Sequence, residues 1–179
     1  LGVDRATDSQ YAISKLNGEK NVLKYFNKSL ILRPSIVYSV DDNFSTTFMT
    51  LLSRLPIFPL YYNGNTKFTP IHCSDMTDII YNVISKNTNS KIIECVGPEI
   101  LSYKQILTIL LGSIGKKRFF LPFPLFVAKI TAKIFELMPN PLLTTDQLTL
   151  LKYDNIASKN YATNSSIGVP AKKHFRLEV

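Results

Sequence analysis

A tyrosine and a lysine stand four residues apart near the start of the chain, in the stretch DSQYAISKLNGEK at residues 8–20. On a helix, Tyr11 and Lys15 would share one face, because residues four apart are neighbours on a helix surface. A lysine ammonium beside a phenol favours the phenolate, and an activated tyrosine can transfer a proton to or from a carbonyl or carbinol. The spacing therefore predicts a catalytic pair. The alternative is two surface residues of an amphipathic helix.

The same ammonium could hydrogen-bond a ribose hydroxyl of a nicotinamide cofactor, so that two residues would both anchor the cofactor and move the proton. Taken alone the pattern is weak, because tyrosine and lysine are common and short motifs match by chance. Its weight depends on the elements that surround it.

The surrounding stretches predict a parallel α/β unit. Residues 9–27 are typical of a helix, and the run SLILRPSIVY at residues 29–38 is typical of a strand buried on both faces of a parallel sheet. A helix with Asp41 and Asp42 as cap candidates follows. Residues 58–73 then suggest a hairpin around the NGN sequence or two short strands. Beyond them we expect one more short strand, KIIECVG, and several helices.

The amino-acid composition and charge limit the class of protein to which this chain can belong. The chain has 179 residues, of which 45% are hydrophobic, and only two cysteines, so we expect a globular protein without a disulfide framework in a reducing compartment. His72 and His174 lie too far apart in sequence for a metal motif, and we predict no metal. The net charge is +8, with 9 basic against 7 acidic residues up to residue 90 and 12 against 6 after it. Nucleic acid, an anionic membrane surface, an acidic protein partner and a solvated basic surface all fit this bias.

No stretch is apolar for the roughly 20 residues that cross a membrane. The nearest, residues 119–138, is interrupted by Pro122, Pro124 and three charged residues. This stretch could pack within its own lobe, dock on a partner subunit or lie on a membrane surface, and we expect lobe packing first.

Three ordered segments resemble a known family. YAISK, LILRPSIVYSVDDNF and FTPIHCSDMTDII together resemble the C-terminal half of an extended, or atypical, short-chain dehydrogenase/reductase of the epimerase/dehydratase-like group. Within that group, LGVDRATDSQYAISKLNGEK and MPNPLLTTDQLTLLKYDN are most similar to the accessory NAD(P)-binding subunits of respiratory complex I and their bacterial relatives. The last block is the most specific, and the resemblance covers about residues 1–155.

The resemblance implies a set of site residues. Tyr11 and Lys15 would be the family's catalytic and cofactor-binding pair, and Pro34 and Ile36 would lie where the chain passes the nicotinamide of NADP or NAD. Arg33 would be a strand-end arginine that binds substrate or a buried carboxylate. The implied function is a nucleotide-binding subunit of the NADH:quinone oxidoreductase type that holds its cofactor mainly structurally.

Two alternatives stay open. One is an active NAD(P)-dependent epimerase, dehydratase or reductase that acts on a nucleotide sugar or a similar carbonyl substrate. The other is a basic interaction module without a cofactor. The expected partners are a dinucleotide and either respiratory-complex subunits or a membrane surface, with no nucleic acid. The expected location is the cytoplasm, with peripheral attachment at the inner membrane as the variant.

The fold class implied is α/β: the C-terminal half of a Rossmann-like doubly wound parallel sheet with a mostly helical smaller lobe. We assign residues 1–96 to the sheet domain, with lobe insertions near residues 43–70, and residues 97–179 to the lobe. The seven glycines form no G-x-G-x-x-G loop, so we expect the phosphate-binding half to precede Leu1 in a longer gene product.

The remaining chemically interesting residues have structural interpretations. We expect His72 to be a packed or hydrogen-bonded histidine, Asp75 to be a helix N-cap, and Cys73 and Cys95 to be buried small side chains. GSIGKKR at residues 112–118 is typical of a glycine-capped helix end.

Overall fold

Helices and strands alternate along much of the chain. A computed structural model describes residues 1–86, 90–137, 139, 141 and 143–179. Its helices are α1 (Gln10–Tyr25), α2 (Asn43–Arg54), α3 (Cys73–Ser85), α4 (Tyr103–Ser113), α5 (Leu125–Phe135), α6 (Thr145–Leu150) and α7 (Phe175–Glu178). Its strands are β1 (Ile31–Pro34), β2 (Val37–Tyr38), β3 (Ile57–Leu60), β4 (Lys67–Phe68), β5 (Ile71–His72), β6 (Ile92–Cys95), β7 (Leu101–Ser102), β8 (Phe119–Pro122) and β9 (Ala162–Thr163).

A three-stranded parallel sheet in the order β1-β6-β9 confirms the predicted α/β class. In the register of its two longer strands, Arg33 lies opposite Glu94 and Pro34 opposite Cys95. The apolar side chains of these strands pack with Ile71 and Ile79 in one buried cluster. Crossover helices that cover a parallel sheet account for this burial.

The predicted strand at residues 29–38 is two strands. β1 pairs with β6, whereas β2 pairs in parallel with β5. The chain changes partner at Ser35, whose hydroxyl donates to the Asn155 side chain at 2.6 Å. The Ser35 amide still donates to the Cys95 carbonyl of β6 at 3.0 Å, whereas the next carbonyl, that of Ile36, accepts from the Ile71 amide of β5 at 2.8 Å.

The hairpin alternative for residues 58–73 is wrong, and short strands are present instead. β3 pairs in parallel with β8, and β4 pairs antiparallel with β7. Between β3 and β4 the chain makes a tight turn, in which Tyr62 and Asn63 have φ of 49° and 56°. Each strand therefore finds its partner far along the sequence rather than across the NGN turn.

Residues after 96 also contribute to the central sheet. β9 pairs with β6 through Ile93 opposite Ala162 and Glu94 opposite Thr163. Asn164, which is fully buried, then accepts a hydrogen bond from the Val96 amide at 2.9 Å. The division of the chain at residue 96 stays a prediction, and the C-terminal segment returns to the sheet across it.

The helix caps are partly as expected. Asp42 caps α2, as predicted, and Ser102 caps α4. The prediction for Asp75 is wrong, because His72 caps α3 through its imidazole nitrogen, 3.2 Å from the Ser74 amide. Asp75 instead accepts hydrogen bonds at 3.0 Å from the amides of Lys172 and Lys173. It therefore fastens the C-terminal segment to the sheet domain.

A buried ion pair fastens α1 to β1. Arg33 donates to Glu19 at 2.9 Å from Nε and at 2.7 Å from Nη2. The guanidinium is 3% exposed, and its central carbon lies 4.5 Å from the centroid of the Tyr161 ring. A two-pronged contact of this kind fixes orientation as well as distance. Because Tyr11, Lys15 and Glu19 lie on the same helix, the pair sets how that helix is turned.

The apolar helix after β8 buries only a narrow face. Ala128 and Ala132 of α5 are fully buried and pack against Leu148 of α6. Phe126, Ile130 and Ile134 are exposed. Lobe packing is therefore confirmed for the alanine face alone. Met138, which the sequence interpretation included in this helix, lies outside the described residues.

The two cysteines have different environments. Cys95 is fully buried, and burial raises the pKa of its thiol to about 12. Cys73 is exposed, so the expectation that it is buried is wrong. It sits at the first position of α3, where the side chain faces outward. Among the described helices, none combines the length and the apolar character that a membrane span needs.

The Glu19–Arg33 pair predicts a large loss of stability on substitution. We expect Glu19→Gln to lower the free energy of unfolding by about 3 kcal/mol, because a buried guanidinium then loses its two-pronged partner and keeps only the longer contact with Asp4, at 3.4 Å. The matched control is Lys152→Gln, which breaks the exposed pair between Lys152 and Asp8 and should have little effect. Thermal denaturation of the protein expressed from its complete gene measures both. Equal melting temperatures for the two variants would contradict this assignment.

Gly97 predicts a second, purely steric effect. A Cβ atom there would lie 1.7 Å from the backbone oxygen of Pro70, so the chain can pass only if residue 97 has no side chain. We expect Gly97→Ala to destabilise the protein by about 1–3 kcal/mol through the forced backbone shift. Gly18→Ala is the control, since an open helical position should gain about 0.5–1 kcal/mol. Chemical denaturation that ranks the two variants the other way would sink the prediction.

Candidate functional site

The helix that carries Tyr11 begins at a well-defined cap. The Ser9 hydroxyl accepts from the Ala12 amide at 3.2 Å. The Asp146 carboxylate of α6 accepts from the amides of Gln10 and Tyr11 at 2.8 and 3.1 Å. A negative charge at a helix N-terminus satisfies free amides and interacts favourably with the helix dipole. Asp146 therefore holds the start of α1 in place.

Tyr11 and Lys15 share the exposed face of α1. The Lys15 ammonium lies 5.4 Å from the centroid of the Tyr11 ring. Tyr11 is 55% exposed, and Lys15 is also exposed. Both polar ends can thus reach a molecule that approaches from outside the described chain. The side chains converge, as the catalytic interpretation requires, although their roles stay a prediction.

Pro34 and Ile36 flank the carboxyl end of β1. Pro34 is the last residue of the strand, and the Ile36 carbonyl accepts from the Ile71 amide at 2.8 Å. Between them the buried Ser35 accepts from the Thr69 amide at 3.3 Å and donates to Asn155. The carboxyl ends of parallel strands are where open α/β sheets bind ligands. These two residues therefore occupy the predicted edge of the sheet.

The surroundings of the ion pair between α1 and β1 shift the pKa values of its ionisable groups. Burial alone would lower the pKa of Arg33, but the hydrogen bonds and charge of Glu19 outweigh it and raise that pKa. Burial would raise the pKa of Asp4, whereas hydrogen bonds, above all from the Tyr161 hydroxyl, bring it below its ordinary value. Arg33 thus stays charged and bound to the carboxylates of Glu19 and Asp4. Of its two predicted roles, binding a substrate or binding a carboxylate of the protein, the structure shows the second.

Two positioning residues escaped sequence reasoning. Asp146 and Asn155 both lie in the block LTTDQLTLLKYDN, and they contact the start of α1 and the loop after β1 respectively. The sequence signals a capping box at Thr144 and Gln147, which the structure contains. Nothing local indicates that the carboxylate between them caps a second helix more than a hundred residues earlier in the chain.

The chemistry available to the described residues is that of proton transfer and hydrogen bonding. Within the described residues no cluster of three or more His, Cys, Asp or Glu side chains could hold a metal ion. His72 is 8% exposed and serves as the α3 cap, so its predicted structural role is confirmed. Tyr11 and Lys15 fit one end of a dinucleotide, the nicotinamide ribose, whereas the pyrophosphate needs amide groups of a glycine-rich turn.

Comparisons with known proteins find distant sequence relatives and solved structures with a similar fold. The chain matches no family model. It is 26% identical over 112 residues to NADH dehydrogenase [ubiquinone] 1 alpha subcomplex subunit 9, mitochondrial, of Dictyostelium discoideum, which covers 62% of this chain and 31% of that protein. It is 23% identical over 171 residues to the Mus musculus protein of the same name, which covers 94% and 45%. The chain thus spans less than half the length of these relatives.

Solved structures share the fold. The dTDP-glucose 4,6-dehydratase DesIV of Streptomyces venezuelae, solved with NAD and TYD bound, aligns with a TM-score of 0.62 at 18% identity over 94% of this chain and 48% of that one. RMD of Pseudomonas aeruginosa, complexed with NADPH, aligns with a TM-score of 0.57 at 8% identity over 94% and 52%.

The sequence relatives and the structural neighbours both agree with the resemblance that the sequence motifs show. The resemblance to the extended short-chain dehydrogenases/reductases is confirmed: this chain is a distant sequence relative of the subunit 9 proteins of NADH dehydrogenase, with the Rossmann-like α/β fold of the epimerase/dehydratase-like group.

Proposed function

We propose that this chain supplies the nicotinamide side of an NAD(P)-binding subunit of the NADH:quinone oxidoreductase type, which holds NADP or NAD mainly as a structural cofactor. The observation that carries the proposal is the Tyr11–Lys15 pair. It lies exposed on α1, and Glu19 of the same helix binds Arg33 at the end of β1. The similarity to subunit 9 proteins, which runs over 171 residues, supports the choice of assembly.

Each of the candidate site residues would make a different contact with the cofactor. Lys15 would donate to a ribose hydroxyl, and the Tyr11 hydroxyl would contact the nicotinamide side of the same nucleotide. Pro34 and Ile36 would form the wall that the ring passes. The cofactor, when bound, supplies hydride chemistry, and the protein's part is to bind and orient it.

The contact between Lys15 and Tyr11 favours a structural role over turnover. The ammonium lies over the ring face, in a cation–π arrangement, which draws the lysine toward the ring as a whole rather than toward the phenolic oxygen alone. Binding needs only the hydrogen-bonding groups, and these are in place.

A second candidate is an active epimerase, dehydratase or reductase on a nucleotide sugar or a similar carbonyl substrate. The observation in its favour is that the phenol and the ammonium keep both the spacing and the shared exposed face that acid–base catalysis requires. In that case Tyr11 is the acid and base, and Lys15 is its activator.

Partners and location follow from the first candidate. We propose other respiratory-complex subunits as protein partners and a peripheral position at the membrane that holds the complex. The relatives are mitochondrial by name, and for this chain we propose the bacterial equivalent, on the cytoplasmic side of the inner membrane.

Substitutions on α1 test the cofactor role. We expect Lys15→Gln to weaken binding of NADPH or NADH about tenfold, because a charge-assisted hydrogen bond to ribose is lost. Tyr11→Phe should change the affinity by no more than about twofold, since only one exposed hydroxyl is removed. The measurement is nucleotide fluorescence on titration into protein expressed from its complete gene.

Lys20→Gln is the matched control, because Lys20 is an exposed lysine on another face of α1 and should leave the affinity unchanged. Wild-type protein that binds neither nucleotide would refute the cofactor role. Turnover of UDP- or dTDP-sugars that vanishes in Tyr11→Phe would establish the second candidate in place of the first.

A further inference from the structure

The region after α4 exposes apolar side chains on two consecutive elements. In the β3–β8 pair, Phe58 and Leu60 point into the core, whereas Ile57, Phe119 and Leu121 are exposed on the opposite face. Phe119 is 81% exposed, although it is one of the largest apolar side chains. Side chains alternate between the two faces of a strand, so one whole face of this ribbon is apolar and uncovered.

Helix α5 follows directly and presents a second such face. Phe126, Ile130 and Ile134 are spaced by four and fall within an arc of about 80° at 3.6 residues per turn. Ala128 and Ala132, which are buried, lie on the opposite side. The small residues thus seat the helix on its lobe, and the large ones face away from it. We refer to Phe126, Ile130 and Ile134 as the outer apolar surface.

Cations accompany this surface. Lys129 and Lys133 are exposed and lie along one edge of the apolar arc of α5, and Lys116, Lys117 and Arg118 directly precede β8. Lys116 and Arg118 donate to the backbone carbonyls of Leu52 and Ser53. Within the described part of the chain, neither Lys129 nor Lys133 forms an ion pair with a carboxylate. Glu136 is the one acidic residue between positions 115 and 137, and it accepts from the Thr145 amide at 2.6 Å.

We propose that the outer apolar surface docks on an anionic phospholipid membrane. Large apolar residues bordered by lysines match a bilayer interface, where apolar side chains enter the acyl boundary and ammonium groups meet phosphate. The charge selects lipid over a second copy of this chain, because two such α5 faces would bring four lysines together with no carboxylate between them. The docking is peripheral, since α5 has 11 residues and stays seated by its alanines.

This docking does not depend on the cofactor, and vesicle flotation tests it directly. Protein expressed from its complete gene should float with phosphatidylcholine vesicles that contain phosphatidylglycerol, more weakly at high salt, and far less with phosphatidylcholine alone. The double variant Phe126→Ser/Ile130→Ser should lose binding at least tenfold, and Lys129→Gln/Lys133→Gln about tenfold at low salt. All variants should keep the wild-type affinity for NADPH.

The matched controls are Ile84→Ser, which removes an exposed isoleucine of α3, and Lys20→Gln/Lys24→Gln, which removes two lysines of α1. Both should bind vesicles as the wild type does. The proposal fails if the wild type does not float with anionic vesicles, or if the α5 variants float unchanged. It also fails if light scattering finds a dimer that Phe126→Ser/Ile130→Ser separates, because a second copy would then cover the surface.

Discussion

The buried contact between Glu19 and Arg33 is the constraint on which the candidate site depends. A helix lying on a sheet can rotate about its own axis unless a directional contact stops it. The bidentate pair supplies that contact at one helical position, and the stacked Tyr161 ring closes over the guanidinium. Because Glu19 lies about 80° around α1 from Tyr11, the contact that turns Glu19 toward β1 leaves the phenol and the ammonium on the exposed side of the helix. A buried charge pair of this kind specifies geometry more than it adds stability.

The segment at residues 144–155 extends the constraint to the other end of the helix. Its Asp146 binds the first amides of α1, and its Asn155 binds Ser35 in the loop that leaves β1. One C-terminal segment therefore fixes both parts of the site, which are separated in sequence by about twenty residues.

Local chemistry made much of the fold predictable. The caps at Asp42 and Ser102, the helical faces and the strand at residues 92–95 all follow from patterns within one or two turns of chain. The pairing of β3 with β8 could not be predicted, because four-residue strands carry too little periodicity to name a partner sixty residues away. The prediction that Asp75 caps a helix failed for a related reason. Its carboxylate is suited to a local cap, but it accepts instead from the distant amides of Lys172 and Lys173.

The central claim is that Tyr11 and Lys15 face the nicotinamide ribose of a bound dinucleotide. The most direct measurement is an experimental structure of the protein, expressed from its complete gene, with NADPH. The account predicts that Lys15 Nζ lies within hydrogen-bond distance, about 2.7–3.2 Å, of a ribose hydroxyl, with the nicotinamide ring beside Pro34 and Ile36. Dinucleotide density that contacts neither Tyr11 nor Lys15 would contradict it.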